Sequence, residues 1–96
     1  MIKSFGNNLA EDLYEDKRGR SLKRFPPELL RVARRKLLYL SDADELNDLR
    51  VPPGNRLESL KGDLKGYHSI RINNQWRIIF KWSGGAHDVQ ILDYHK

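Results

Sequence analysis

The chain has 96 residues, a length that suits one domain with a single small core. Its 18 lysines and arginines exceed its 13 aspartates and glutamates, which gives a net charge of +5. This charge favours a nucleic acid, a ribosome or an acidic protein as partner, although solubility alone also explains it. The absence of cysteine excludes disulfides and cysteine-ligated metal. No apolar run approaches the roughly 20 residues of a membrane helix, and no signal peptide is recognisable. We therefore expect one cytoplasmic domain, residues 1–96, without contact to a membrane.

The start of the chain predicts a short strand and then a helix. Residues 2–5 give a weak strand signal. Asn7 and Asn8 offer a helix N-cap, and apolar residues follow at helical spacing through Asp16. The basic residues 17–20 end this helix, and they form either a solvated turn or part of a binding patch.

The strongest helix signal begins at Pro26 and Pro27. Proline in the first turn and the acidic Glu28 both suit a helix N-terminus. The side predicted to be buried is an apolar arc with a period of 3.6 residues, formed by Leu29, Leu30, Ala33, Leu37 and Leu40. The basic segment 31–36 supplies the other side, which either faces solvent or contacts an acidic partner.

An acidic segment and a proline-rich segment follow this helix. Residues 41–49 predict a short helix with Ser41 or Asp42 as N-cap and its leucines turned inward. Residues 50–55 cannot continue a helix, because proline removes backbone donors and glycine permits a positive φ. We predict a hinge here, between a helical first half and a stranded second half.

The second half predicts four strands. They span residues 56–60, 67–72, 75–82 and 87–93. Residues 61–66 form a loop. Asn73-Asn74 is predicted to be a two-residue hairpin turn, because asparagine tolerates the left-handed conformation that such turns require.

Strict alternation in residues 75–82 predicts that one face of that strand is buried. The apolar face consists of Trp76, Ile78, Phe80 and Trp82, and the opposite face of Gln75, Arg77, Ile79 and Lys81. A two-residue turn then sets Ile70 opposite Arg77 and places Arg71, Ser69 and Tyr67 on the apolar face. The expected fold is α+β: a small twisted, mainly antiparallel sheet with the N-terminal helices packed on one face and the other face available.

Several kinds of active site are excluded by the absence of their motifs. The sequence has no Walker loop, dinucleotide fingerprint, HExxH motif or nucleophile elbow. Its three histidines lack metal-ligand spacing, so we expect no metal and no cofactor. Lys61, Lys65 and Arg77 are candidates for binding phosphate. Tyr67 and Tyr94 are candidates for stacking on bases.

Carboxylates and a histidine supply candidate acid–base groups. Asp93 and His95 share one phase of the last predicted strand, about 6–7 Å apart. A carboxylate can accept a proton and an imidazolium can donate one. The two residues are therefore either an acid–base pair or solvated residues of a frayed terminus. Glu58 is a second candidate base, or an ordinary salt-bridge partner.

Five segments of the chain resemble the HigB toxins of the RelE superfamily. They are residues 1–5 (MIKSF), 56–63 (RLESLKGD), 67–73 (YHSIRIN), 75–80 (QWRIIF) and 93–95 (DYH). The resemblance covers the whole chain and implies a RelE-like, microbial ribonuclease-like α+β fold. It also implies the toxin of a type II toxin–antitoxin system, acting as a ribosome-dependent mRNA endoribonuclease that inhibits translation. The implied partners are mRNA on the ribosome, a neutralising HigA-type antitoxin with a helix-turn-helix, and operator DNA only through that antitoxin.

The resemblance also implies functional positions. They are Asp93, Tyr94, His95, Arg77 and Lys61. Where some members carry a histidine, this chain has Glu58.

Cleavage by a neighbouring 2′-hydroxyl needs a base, an acid and cations on the phosphate. We expect Asp93 or Glu58 as base and His95 as acid. Arg77 and Lys61 are expected to stabilise the phosphate. Tyr94 is expected to stack on the nucleotide or position it.

Two other functions stay open. One is a non-catalytic module that binds RNA or the ribosome, which would show salt-sensitive binding without cleaved message. The other is a protein-interaction domain in which the basic segment 31–36 contacts an acidic partner.

Overall fold

The structure, a computed structural model, describes residues 1–17 and 19–94. The helices and strands in that part are α1 (Asn8–Tyr14), α2 (Leu30–Asp42), β1 (Glu58–Ser59), β2 (His68–Arg71), β3 (Trp76–Trp82) and β4 (Ala86–Asp93). Short 3₁₀ helices span Arg20–Arg24, Pro27–Leu29, Leu46–Arg50, Pro53–Asn55 and Gly62–Leu64. No helix in the described part of the chain combines the length and apolar character needed to cross a bilayer.

The strands form one antiparallel sheet in the order β1-β2-β3-β4. Apolar residues of α1 and α2 and of one sheet face form a common core. The central members of this core, all fully buried, are Leu13, Ala33, Leu37, Leu40, Ile70, Ile78 and Phe80. The predicted α+β arrangement, with helices on one face of an antiparallel sheet, is confirmed.

Helix α1 begins at its predicted cap. The Asn7 side chain accepts a hydrogen bond from the Ala10 N–H. The same side chain donates to the Ile91 carbonyl and accepts from the Ile91 N–H, which ties α1 to β4. The helix ends at Tyr14, two residues before the predicted end. Asp16 has a left-handed φ of 56°, which a helix cannot continue.

The boundary after α2 differs from the prediction. Ser41 and Asp42 are the last residues of α2 rather than the cap of the next helix. Glu45 caps the 3₁₀ helix Leu46–Arg50 instead, in a capping box with Asp48. Two reciprocal side-chain bonds to backbone N–H groups stabilise that start better than one hydroxyl does.

Part of the predicted basic helix face is buried. The Lys36 ammonium donates to the Asn55 side-chain oxygen, and the Asn55 amide donates to the Leu49 and Val51 carbonyls. Burial lowers the pKa of Lys36, and the neighbouring Arg35 charge lowers it further. The proline-rich segment predicted as a hinge is therefore fastened to α2 through a fully buried asparagine.

The N-terminal segment lies along β4 but is not a full strand. Ile2 and Phe5 form isolated parallel bridges with Ala86 and Val89. The Gly6 N–H donates to the Val89 carbonyl over 2.7 Å. A Cβ at position 6 would collide with the side chains of Asp88 and Gln90, which would have to move to admit it.

The predicted hairpin turn and register are wrong by one residue. Backbone N–H groups of Ile72 and Asn73 both donate to the Trp76 carbonyl, which leaves residues 73–75 as a three-residue loop. Arg71, not Ile70, therefore pairs with Arg77. This register places Ile70 on the face of Ile78, in the core, and moves Tyr67, Ser69 and Arg71 to the opposite face. The strand predicted at residues 56–60 is reduced to Glu58–Ser59.

The adjacent leucines of α2 provide a matched test of the core. Leu37 is fully buried, whereas Leu38 is half exposed. We expect Leu37→Ala to lower the free energy of unfolding by about 2–5 kcal/mol and Leu38→Ala by less than about 0.5 kcal/mol. Urea unfolding monitored by circular dichroism measures both. Equal losses would contradict the assigned helix orientation.

His68 gives the fold a pH dependence. Burial lowers the pKa of His68 below its ordinary value, and its ring lies 5.9 Å from that of Phe80. The unfolded chain then binds this proton more readily. The contribution of neutral His68 to the free energy of unfolding is complete above about pH 6.5 and is lost as the pH falls through the pKa of His68 in the folded chain. We expect the His68→Gln variant to lose less free energy of unfolding than the unmodified chain between pH 7.5 and 5.5. Identical losses in urea titrations would refute this.

Candidate active site

Arg77 shares the sheet face opposite the helices with three polar side chains, those of Glu58, Ser69 and Arg71. Glu58 pairs with Ser69 across β1 and β2, and Arg71 pairs with Arg77 across β2 and β3. Directly paired residues of an antiparallel sheet point to the same side, so the four side chains share one face. Two arginines opposite each other repel, and a third group of negative charge is needed beside them.

Glu58 supplies that negative charge. Its Oε2 lies 3.7 Å from Arg77 Nη1, and its Oε1 lies 4.0 Å from Arg71 Nη2. Each carboxylate oxygen thus faces a different guanidinium. Both distances exceed the roughly 2.7–2.9 Å of a tight charge-assisted hydrogen bond. The carboxylate balances the two charges without occupying their hydrogen-bond donors.

Arg77 is held in place by its surroundings. Only 9% of the residue is exposed, because it lies in the centre of the sheet. The Tyr94 ring covers its guanidinium at 4.5 Å from ring centroid to Cζ, a distance within the range of cation–π attraction. The Tyr94 N–H donates to the Gln75 carbonyl, so the end of β4 positions this ring.

The same face contains buried polar atoms without a hydrogen-bond partner in the described part of the chain. They are Ser69 Oγ, Arg71 Nε and Arg77 Nε. A buried donor left unpaired costs about 1–3 kcal/mol, so three such atoms on one face are expensive for stability alone. A bound anion with several acceptor oxygens would match this set of donors.

The structure separates Asp93 from this cluster. Asp93 pairs with Trp76 and therefore projects to the helix side of the sheet, whereas Arg77 pairs with Leu92. The Gln75 side-chain amide donates to the Asp93 carboxylate over 3.0 Å. His95 lies outside the described residues. The expected grouping of Asp93 beside Arg77 is not found, and the roles assigned to Asp93 and His95 stay predictions.

The other predicted RNA-binding residues surround the cluster. Lys61 and Lys65 are exposed at the two ends of the 3₁₀ helix Gly62–Leu64. The Tyr67 hydroxyl donates to the Asp88 carboxylate, and this hydrogen bond raises the pKa of the phenol. The Lys81 ammonium lies 5.0 Å from the Tyr67 ring centroid. Lys81 therefore already covers the Tyr67 ring. The stacking of Tyr67 on a base stays a prediction.

Sequence reasoning missed Arg71 and Ser69 as members of the site. The predicted two-residue turn places both on the core side. The alternation in β2 contained the correcting signal, because Ile70 and Ile72 can enter the core only if Ser69 and Arg71 face away from it.

Comparison with known proteins identifies the family. A sequence model described as "RelE-like toxin of type II toxin-antitoxin system HigB" matches residues 3–95. The chain belongs to the HigB toxins of the RelE superfamily. It is 43% identical to Toxin HigB-1 of Vibrio cholerae over 96 residues, which is 100% of this chain and 99% of that protein. This HigB family member is therefore a type II toxin.

Two further likenesses were found, one in sequence and one in fold. The HigB-family chain is 44% identical to a Proteus vulgaris protein named Endoribonuclease HigB over 41 residues, 42% of this chain and 45% of that one. Its fold matches a chain of the YoeB-YefM complex from Staphylococcus aureus with a TM-score of 0.60 at 18% identity. That match covers 100% of this chain and 99% of the other, and it supports the fold.

Glu58→Gln tests whether the arginine pair binds anions. Removing the negative charge of Glu58 leaves two guanidiniums that repel each other. A bound phosphate can supply the missing negative charge. A ligand that binds only the folded state raises stability according to its affinity. We expect Glu58→Gln to melt at a lower temperature and to gain more from added inorganic phosphate than the unmodified chain.

Thermal unfolding at constant ionic strength, with chloride in place of phosphate as reference, measures this difference. Asp63→Asn is the matched control, since it removes one exposed carboxylate from the neighbouring loop. If all three proteins respond equally to phosphate, the arginine pair is not an anion site.

Proposed function

We propose that this toxin is an endoribonuclease that cleaves translated mRNA on the ribosome and that a HigA-type antitoxin neutralises it. The observation that carries the proposal is the Glu58 carboxylate between the guanidiniums of Arg71 and Arg77. The name of the Proteus vulgaris relative supports the ribonuclease activity. The complex formed by the Staphylococcus aureus neighbour supports an antitoxin as partner. We further propose that operator DNA is reached only through that antitoxin.

The cluster fits cleavage by the ribose next to the scissile phosphate. The 2′-oxygen attacks phosphorus, a base takes the 2′-hydroxyl proton, and the bond to the 5′-oxygen breaks. The leaving 5′-oxygen receives a proton from an acid, and the products are a 2′,3′-cyclic phosphate and a 5′-hydroxyl. Charge that develops on the phosphate oxygens is stabilised by Arg71 and Arg77, and no bound metal is required in this scheme.

Position favours Glu58 over Asp93 as the base. Glu58 lies within 4.0 Å of both guanidiniums that would hold the phosphate. Asp93 projects to the other side of the sheet. When a phosphate approaches the arginines, the loosely held Glu58 carboxylate can shift toward the 2′-hydroxyl. His95 is proposed as the acid from the family resemblance.

Basic residues around the cluster extend the RNA site. Lys61 and Lys65 are exposed beside β1, and Lys81 is exposed on β3. Contacts from such lysines position an RNA backbone without reading its sequence. Tyr94 stacks on Arg77, and we propose that it also stacks on a base.

Substitutions in the cluster should strongly reduce cleavage while the fold persists. We expect Glu58→Gln and Arg77→Lys each to reduce cleavage of translated message by about 10²–10⁴-fold, because one removes the base and the other the two-pronged phosphate contact. Arg56→Lys is the matched control at an exposed arginine outside the cluster. Primer extension on a message induced together with each variant measures cleavage, and circular dichroism checks folding.

Three results would oppose the proposal. Full cleavage by both folded variants would place the active site elsewhere. Binding to ribosomes without any cleaved message would indicate the non-catalytic RNA- or ribosome-binding module. Equal cleavage of purified mRNA with and without ribosomes would remove the ribosome dependence.

A further inference from the structure

The outer side of α2 forms a groove of about 650 Å³ whose lining does not include Glu58, Ser69, Arg71 or Arg77. It is lined by Pro27, Leu30, Arg31, Arg34, Arg35 and Leu38. Its floor is apolar, and Leu38 is 50% exposed there. A half-exposed leucine beside other apolar groups marks a surface that gains by being covered.

The rim of the groove is positively charged, and two of its arginines can bind a further anion. Arg31 and Arg35 are exposed, and in residues 1–17 and 19–94 neither forms an ion pair or a hydrogen bond through its side chain. Both guanidiniums are available to carboxylates, which arginine binds in a two-pronged manner.

Arg34 shows how an acidic group is held at this helix. Its Nη2 lies 2.8 Å from the Asp16 carboxylate, and its Nε donates to the Leu13 carbonyl over 3.0 Å. The chain therefore already places an exposed carboxylate against the middle arginine of the rim. Arg31 and Arg35 flank this contact by three residues and one residue along α2.

We propose that this groove docks an acidic amphipathic segment of the antitoxin, an inference that rests on the proposed function. Apolar side chains of the segment cover Leu38 and Leu30, and its carboxylates bind Arg31 and Arg35. This combination is typical of an amphipathic helix lying in a groove. None of the lining residues in the described part of the chain is aromatic, so those residues provide no stacking platform of the kind on which single-stranded RNA binds.

Calorimetry with a full-length HigA-type antitoxin tests the docking surface. We expect Arg31→Glu/Arg35→Glu to raise the dissociation constant of the complex at least tenfold, because like charges then face each other across the interface. Leu38→Ala should raise the dissociation constant severalfold, because an apolar contact is lost. Because Arg31, Arg35 and Leu38 do not belong to the cluster around Arg77, both variants should still cleave mRNA.

Matched controls separate the groove from general charge and apolar effects. Lys3→Glu/Arg56→Glu makes the same change in net charge at two exposed residues outside the groove. Val51→Ala shortens another exposed apolar side chain, which is 72% exposed. Both controls should bind the antitoxin within about twofold of the unmodified chain. Melting temperatures confirm that every variant is folded.

The outcomes divide clearly. Unchanged affinity in Arg31→Glu/Arg35→Glu, or failure of the unmodified chain to bind the antitoxin, overturns the docking surface. Loss of ribosome binding with unchanged antitoxin affinity overturns it too and assigns the groove to RNA. If the groove variants lose the antitoxin while the unmodified chain cleaves no message, the docking surface stands and the ribonuclease proposal fails.

Discussion

The three-residue loop between β2 and β3 determines which side chains meet at the candidate site. The Asn73 side chain accepts hydrogen bonds from the N–H groups of Gln75 and Trp76, at 2.9 and 2.7 Å, and so fixes the loop length. A loop one residue shorter would turn every side chain of β2 to the other face. Arg71 would then point into the core and Arg77 would have an isoleucine opposite it. The charge cluster therefore depends on an asparagine that does not belong to it.

The two faces of the sheet divide stability from chemistry. On the helix side, side chains that exclude water supply the favourable free energy of folding. On the other side, the fold holds two like charges next to each other and leaves buried donors without a partner among residues 1–17 and 19–94. Such an arrangement lowers stability, and it persists because the core is separate from it. Arrangements of this kind are characteristic of sites shaped for a ligand rather than for the fold alone.

Local patterns in the sequence predict most of the helices and strands. They do not predict contacts between elements that are distant in the sequence. The periodicities of α2 and β3 and the Asn7 cap are short-range signals, and the structure confirms them. The predicted hairpin register is wrong because Asn73-Asn74 fits a two-residue turn locally, whereas burial of Ile70 and Ile72 requires a loop of three residues. The meeting of Glu58 with Arg77 joins strands 19 residues apart, and only the register brings them together. The placement of Asp93 follows from the pairing of β3 with β4, which the sequence alone did not reveal.

The edges of the sheet restrict how other chains can bind. Along β4, the N–H of Lys3 and the carbonyl of Ser4 pair with Ala86 and Val89, so that edge is occupied from within the chain. At the other edge, β1 offers a strand of only two residues. Adding a strand to a sheet needs a longer row of free backbone groups. We therefore expect partners to recognise this chain mainly through side-chain contacts, which single substitutions can weaken.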